Sequence, residues 1–204
     1  MALYDRYLAA RVRRSEAETP GRVAVVITER DLLEQGAYRT LESFLDWAFG
    51  YDAHRVLISV SVLDERAVPA LRRAFEGLDR SRAVAVRGPD DVDPDTATEA
   101  VQVNIGLGGK REFATAVRRV AEAVDEGSLS PEELDAERLE RALVFPEPPD
   151  LVVKTGAERL SDFMIWQSVY SELYFTDVNW RDFRERDYLR ALRDYQTRQR
   201  RFGR

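Results

Sequence analysis

Residues 148–203 read PPDLVVKTGAERLSDFMIWQSVYSELYFTDVNWRDFRERDYLRALRDYQTRQRRFG. Asp150-Leu151-Val152-Val153 is an apolar run bounded by Pro149 and, a little further on, by Gly156, the pattern of a short buried strand. Lys154-Thr155-Gly156 follows at the C-terminal end of that strand, the edge where ligands bind in open α/β sheets. Arg159 and Ser161 come within two turns of Lys154. Two cations and a hydroxyl beside a helix start suit an anionic ligand, because backbone N–H groups and the helix dipole add to the side-chain charge. An aromatic helix and a basic tail complete the segment.

Upstream, strands and helices alternate. Arg22–Ile27 (RVAVVI) is a continuous apolar strand, as expected inside a parallel sheet. Leu41, Phe44, Leu45, Ala48 and Phe49 mark a helix that stops near Gly50. Arg55–Ser61 is a second strand, and Pro69 sits in the first turn of a helix carrying Leu71, Ala74, Phe75 and Leu78. Ser81–Arg87 and Val101–Leu107 are further strands, separated by an acidic loop over Gly88–Thr98. Phe113, Val117, Val120, Ala121 and Val124 share a helix face ending at Gly127. Ser130-Pro131-Glu132-Glu133 has the cap, the N1 proline and the acidic first turn of another helix start. The order predicts an α/β fold, a single domain over residues 1–204 with a central, mainly parallel sheet flanked by helices. Leu3, Tyr4, Tyr7, Leu8 and Val12 recur at helical spacing within residues 2–14, predicting an amphipathic N-terminal helix. Core packing is its first reading; contact with a membrane surface is the sharper one.

The chain has 204 residues, 44% hydrophobic and 33% charged, enough for one domain with a real core. No apolar run approaches the roughly 20 residues of a membrane span. No apolar signal core opens the chain, which predicts a cytoplasmic protein. The absence of cysteine excludes disulfides and thiolate metal sites, and the lone His54 cannot build a zinc site. The net charge is −6 and Lys occurs only at positions 110 and 154. Such a surface argues against broad nucleic-acid binding, which needs a positive field.

The motif Lys154-Thr155-Gly156-Ala157-Glu158-Arg159-Leu160-Ser161-Asp162-Phe163-Met164-Ile165-Trp166-Gln167 resembles the R-T-S-G-E-x-R-x-S-N-F-L-x-W-Q signature of cis-prenyltransferases, the undecaprenyl diphosphate synthase family. Residues 171–183, SELYFTDVNWRDF, resemble that family's A-E-L-Y-F-T-x-x-x-W-P-D-F, and Arg201-Phe202-Gly203 resembles its C-terminal R-x-G. The resemblance implies that Lys154, Arg159 and Ser161 hold the diphosphate of isopentenyl diphosphate. It further implies that Glu172 is a ligand of Mg2+, and that Arg201 and Gly203, in a tail over 196–204, reach a partner subunit's site.

The first strand departs from the family. Thr28 stands where the family carries the aspartate that binds magnesium on the allylic diphosphate, and the phosphate-cradling G-N-G-R-W has become Glu29-Arg30-Asp31-Leu32-Leu33. A neutral Thr is no substitute for a carboxylate as a hard-cation ligand. Glu29 is one place along and needs a turned backbone to stand in. The second strand lacks the family asparagine. Val103-Asn104-Ile105 resembles the fourth-strand L-N-[VI], and Gly108-Gly109-Lys110 reads as a strand-to-helix turn. The span between Ser61 and Asn104, which in the family walls a tunnel for the growing chain, is short.

Three functions follow from this split. The first is a non-catalytic or weakly active subunit that completes a catalytic homologue, as in heteromeric cis-prenyltransferases, with magnesium shared across a homodimer or heterodimer. The second is a self-sufficient polyprenyl diphosphate synthase using Glu29. The third is a binding module for a prenyl or diphosphate ligand.

Overall fold

The computed structural model describes residues 2–78, 83–94, 99–156 and 162–198. Six strands form one sheet, β1 (Arg22–Thr28), β2 (Arg55–Ser61), β3 (Val84–Arg87), β4 (Val101–Ile105), β5 (Leu151–Thr155) and β6 (Glu172–Thr176). Their spatial order is β3-β4-β2-β1-β5-β6, and each described pairing is parallel. The apolar runs at the centre are buried on both faces, because parallel strands are covered by helices above and below.

Among the described residues, seven α-helices surround the sheet: α1 (Ala2–Arg13), α2 (Glu29–Leu33), α3 (Ala37–Gly50), α4 (Val68–Glu76), α5 (Gly109–Asp125), α6 (Ala136–Ala142) and α7 (Glu185–Thr197). One face of the sheet packs α1, α3, α4 and α7 into the larger core, with Phe44, Phe75, Trp180, Phe183 and Tyr188 fully buried. Phe44 meets Trp180, Phe183 and Tyr188 edge-on at 5.3–6.1 Å between ring centroids, the offset geometry aromatic quadrupoles favour. The Trp180 indole N–H donates to the Ala37 carbonyl at 3.1 Å, which satisfies its buried donor. The other face carries a smaller cluster of Ala24, Val26, Leu57, Leu107, Val144, Phe145, Val152, Phe163 and Met164.

Three readings change. The segment 172–176 is a sixth strand, and the helix of the C-terminal region starts only at Glu185, so the aromatic run Leu173-Tyr174-Phe175 is extended. As an edge strand it is only half covered, and its pattern loses the continuous burial of a central strand. Ser130–Glu133 makes a single capped 3₁₀ turn; the α-helix that follows is capped by Asp135. Of the five apolar positions in α1, Leu8 and Val12 enter the core, while Leu3, Tyr4 and Tyr7 stay exposed.

Successive connections place β2, then β3 and β4, on one side of β1, whereas β5 and β6 lie on the other. The order therefore reverses between β1 and β5. Outside the carboxyl ends of these two strands lies the crevice that open α/β sheets use for ligands.

Candidate functional site

The two strands at the crevice end differently. β1 ends at Thr28, which caps α2. The Thr28 amide donates to Asp31 Oδ2 at 2.7 Å and its hydroxyl donates to the same oxygen at 2.8 Å. The Asp31 amide donates back to Thr28 Oγ1 at 3.3 Å, completing a capping box. Glu29 turns the other way, and its Oε2 accepts from the amides of Leu63 at 3.1 Å and Asp64 at 3.5 Å. Both carboxylates of this turn are thus spent on backbone amides. The residues Glu29–Leu33 form one helical turn, not an open loop.

β5 ends in Lys154 and Thr155, both buried at 4% and 1% exposure. Lys154 pairs with Val26, which in turn pairs with Ser59, and Ser59 with Asn104. Paired residues of a parallel sheet point to the same face, so Lys154, Ser59 and Asn104 form a buried polar row on a face otherwise built of Ala, Val, Leu and Phe. The Lys154 ammonium donates to the Thr155 carbonyl at 2.8 Å. Asn104 holds the end of β4: its Nδ2 donates to the Leu107 carbonyl at 3.0 Å and its Oδ1 accepts from the Leu107 amide at 3.3 Å. The turn passes through Gly106 at φ +76°, a left-handed conformation glycine adopts without penalty. The Thr155 hydroxyl is buried and has no hydrogen-bond partner among the described residues. A buried orphan hydroxyl costs free energy unless something completes it.

The start of α5 closes part of the same rim. Asp162, at φ +58°, accepts the Lys110 amide on Oδ1 at 2.7 Å, and its carbonyl accepts the Gly109 amide at 2.7 Å. Orphan N–H groups of a helix start attract an anion, and here a side chain of the chain itself supplies it. The approach needs glycine: a Cβ on Gly108 would stand 2.2 Å from Asp162 Oδ2, and one on Gly109 would stand 2.9 Å from the Met164 and Ile165 amide nitrogens. The Gly108-Gly109-Lys110 turn is therefore occupied.

Beneath this rim lies a support that sequence reasoning did not single out. Glu112, 3% exposed, accepts from the Phe145 amide at 2.9 Å and from Gln167 Nε2 at 3.0 Å. Gln167 also donates to the Phe145 carbonyl at 2.8 Å. Burial pushes the Glu112 carboxyl above its ordinary range, against the opposing pull of these hydrogen bonds. Trp166 stacks on Phe113 at 5.8 Å and donates to Glu140 at 3.0 Å. The Trp166-Gln167 pair of the C-terminal motif thus fastens the loop after β5 to α5 and α6. Gln167 lies inside the quoted C-terminal motif, which was the available signal, whereas Glu112 lies outside the quoted stretches.

Of the predicted site residues, the crevice brings together Thr28 and Lys154. Arg159, Ser161, Arg201 and Gly203 lie outside the described residues. Glu172 is the first residue of β6, paired with Leu151 at the amino-terminal edge of the sheet, three residues before the position beside Lys154. It accepts from Arg198 at 3.1 Å. Among the described residues, no group of three or more His, Asp or Glu side chains is placed to hold a metal ion. Thr28 is neutral, Glu29 and Asp31 hold backbone amides, and Glu172 holds Arg198. The described donors of this chain do not fit a magnesium site.

Among the described residues, the segment expected to wall a tunnel turns its apolar side chains into the core. Leu71, Phe75 and Leu78 of the short α4 segment pack into the core on the α3 side. An apolar groove of ≈570 Å³ lies instead on the opposite face, between α5 and α6, lined by Val117, Val120, Val124, Leu134, Leu139 and Trp166. No helix among the described residues is long and apolar enough to cross a membrane.

Comparison with known proteins agrees with the fold. Residues 83–203 match the family described as "Putative undecaprenyl diphosphate synthase". A tritrans,polycis-undecaprenyl-diphosphate synthase (geranylgeranyl-diphosphate specific) of Methanocaldococcus jannaschii is 50% identical over 109 residues, 50% of this chain and 39% of that protein. A ditrans,polycis-undecaprenyl-diphosphate synthase ((2E,6E)-farnesyl-diphosphate specific) of Escherichia coli K12 is 46% identical over 106 residues, 50% of this chain and 42% of that protein. The matches thus span less than half the length of these relatives. The crystal structure of lavandulyl diphosphate synthase from Lavandula x intermedia, in complex with dimethylallyl diphosphate, superposes with a TM-score of 0.73 at 22% identity, covering 91% of this chain and 99% of that one. At that identity the likeness concerns the fold.

Proposed function

The chain belongs to the undecaprenyl diphosphate synthase (cis-prenyltransferase) family, and from that premise we propose that it is the isopentenyl-diphosphate-holding subunit of a two-chain polyprenyl diphosphate synthase. In this reading it is non-catalytic or weakly active alone, and it completes the site of a homologue that carries the first-strand aspartate and the magnesium. The observation that carries the reading is the contrast across the crevice. Thr28, Glu29 and Asp31 are closed into a capped helical turn, whereas β5 ends in a buried lysine, with the unsatisfied Thr155 hydroxyl on the other face of the sheet.

Lys154 supplies the positive charge for a diphosphate, and Arg159 and Ser161 join it from the following segment. Charge-assisted hydrogen bonds of this kind are shorter and stronger than neutral ones. Holding the diphosphate fixes where the homoallylic double bond lies, which is the entropic part of bringing two substrates together. Arg201 and Gly203 reach the homologue's site. The edge strand β6 offers a surface for that homologue: Val169, Tyr170 and Phe175 are 76%, 53% and 54% exposed beside it, and apolar side chains exposed together at a sheet edge suit a protein partner. Glu172, expected as a magnesium ligand, takes that role only on releasing Arg198.

The test is prenyl transfer from isopentenyl diphosphate to farnesyl or geranylgeranyl diphosphate with magnesium, measured for the pure chain, for an aspartate-bearing homologue, and for the mixture. The expected result is little or no product from the pure chain and a gain in the mixture that Arg201→Ala abolishes. Full elongation by the pure chain, lost on Glu29→Gln, would overturn the reading in favour of a self-sufficient enzyme. Isopentenyl diphosphate binding with no effect on any homologue would reduce it to a binding module.

A further inference from the structure

Helix α1 buries Leu8 and Val12 but leaves three large apolar residues outside the core. Leu3, Tyr4 and Tyr7 are 85%, 49% and 51% exposed. Leu3, Tyr7, Arg11 and Arg14 follow one another at spacings of four, four and three residues, so they form one stripe along the helix. Helix α7 runs beside this stripe in the same direction: the Arg190 guanidinium lies 5.8 Å above the Tyr4 ring, and Gln196 donates to the Val12 and Ala17 carbonyls. Where the two helices end, a polar groove of ≈330 Å³ is lined by Arg11, Arg14, Ser15, Arg193, Gln196 and Thr197.

The charge of this groove is uncompensated. Arg11, Arg14 and Arg193 form no ion pair among the described residues, whereas Arg22, Arg72, Arg119 and Arg198 each meet a carboxylate. The acidic groups of α7 are already engaged, Glu185 by the Tyr51 hydroxyl, Asp187 by Arg190 and Asp194 by Arg198. Asp5 is half-buried, and Glu16 and Glu18 are exposed beyond the end of α1. Arg11 donates to the Tyr7 hydroxyl at 2.9 Å, and this hydrogen bond, then the charges of Arg11 and Arg193, hold the phenol below its ordinary range. A chain of net charge −6 thus keeps a cationic groove beside exposed aliphatic and aromatic side chains.

We propose that the α1–α7 face docks the protein on the surface of an anionic bilayer, with phosphodiester headgroups in the arginine groove and Leu3, Tyr4 and Tyr7 in the interfacial layer. The combination selects this occupant. A helix lying in the interface needs both an apolar stripe and a cationic one, and tyrosine favours the headgroup level. A nucleic acid would use the arginines and leave Leu3 in water. The assignment does not depend on the catalytic reading above, since neither α1 nor the groove includes a residue placed in the crevice.

Cosedimentation of the full chain with vesicles tests it, using phosphatidylcholine alone against equimolar phosphatidylcholine and phosphatidylglycerol. Binding is expected on the anionic vesicles only, and release at high salt. Each basic residue near an anionic surface strengthens binding roughly fivefold, so Arg11→Gln/Arg14→Gln/Arg193→Gln is expected to weaken partitioning about a hundredfold. Leu3→Ser, a change at an exposed position that leaves the fold intact, is expected to weaken it severalfold. Equal binding to neutral vesicles, an unchanged triple variant that circular dichroism shows folded, or retention on single-stranded RNA in preference to vesicles would each overturn the proposal. Inorganic diphosphate is expected to leave vesicle binding unchanged at constant ionic strength; specific competition would assign the groove to a soluble phosphate instead.

Discussion

The two strands that flank the crevice have the same core chemistry and opposite ends. β1 and β5 are both continuous apolar runs, paired in register through Val26 and Lys154. Beyond that pair, β1 turns its polar atoms inward on itself. Thr28 and Asp31 satisfy each other, and Glu29 satisfies the β2 exit. β5 does the reverse, burying a cation and leaving the Thr155 hydroxyl unmet. A site that binds a ligand must leave polar groups unsatisfied by the protein; a turn that only shapes the fold need not. On the function proposed above, the comparison separates structure from binding within one sheet edge.

The sharpest way to break that contrast is to remove the cation. Lys154→Met keeps the length and apolar stem but not the ammonium. Hydrogen bonds to charged groups contribute about 1.5–3 kcal/mol, so isopentenyl diphosphate affinity should fall roughly tenfold to a hundredfold. Isothermal titration would read this directly; unchanged affinity would move the diphosphate away from β5. A stability effect of similar size is expected at the α5 rim. In Gly109→Ala the new methyl meets the backbone of Met164 and Ile165, and overpacking of this kind typically costs 1–3 kcal/mol. Urea unfolding should show it, together with a displaced Asp162.

Much of this architecture was legible in the residues. Continuous apolar runs such as Arg22–Ile27 and Leu151–Val153 read as buried parallel strands because covering a sheet on both faces leaves no polar alternation. The strand end at Lys154 was legible for the same reason. The edge strand Glu172–Thr176 was not, since half-exposure mixes its pattern. The five-residue helix after Thr28 was also hidden, because it is defined by a capping box, and the same letters serve a loop equally well. Asp162 capping α5 and Gln167 reaching Glu112 join residues separated by about fifty positions, a distance at which one sequence carries no pairing signal. The segment 157–161 and the C-terminal tail, with Arg159, Ser161, Arg201 and Gly203, are read from resemblance and tested only by substitution.

A milder substitution tests the closed side. Thr28→Ala removes the cap of α2, and losing a threonine cap typically costs about 1 kcal/mol. The comparison expects that loss in a thermal or urea melt, with isopentenyl diphosphate affinity unchanged. A Thr28→Ala variant that lost affinity without losing stability would make Thr28 part of the ligand site.

The smallest effect lies beneath the β5 mouth and shows itself only with pH. Glu112 is buried, and its carboxyl is raised above the ordinary value of 4.5, chiefly by desolvation. The folded state therefore holds its proton to higher pH than the unfolded chain does. Stability falls with rising pH wherever the folded state binds more protons. The contribution of Glu112 is thus fully present below its unfolded value and is lost as pH rises through its folded one. Other carboxylates titrate nearby, so the difference from Glu112→Gln isolates it: wild type should lose stability relative to the glutamine variant from about pH 4 upward, until the folded carboxyl has ionised. A difference that stayed flat between pH 4 and pH 8 would mean that the Phe145 amide and Gln167 fully offset the burial. The support under the β5 mouth would then be a carboxylate whose hydrogen bonds offset its desolvation, and the contrast between the two mouths would rest on Lys154 and Thr155.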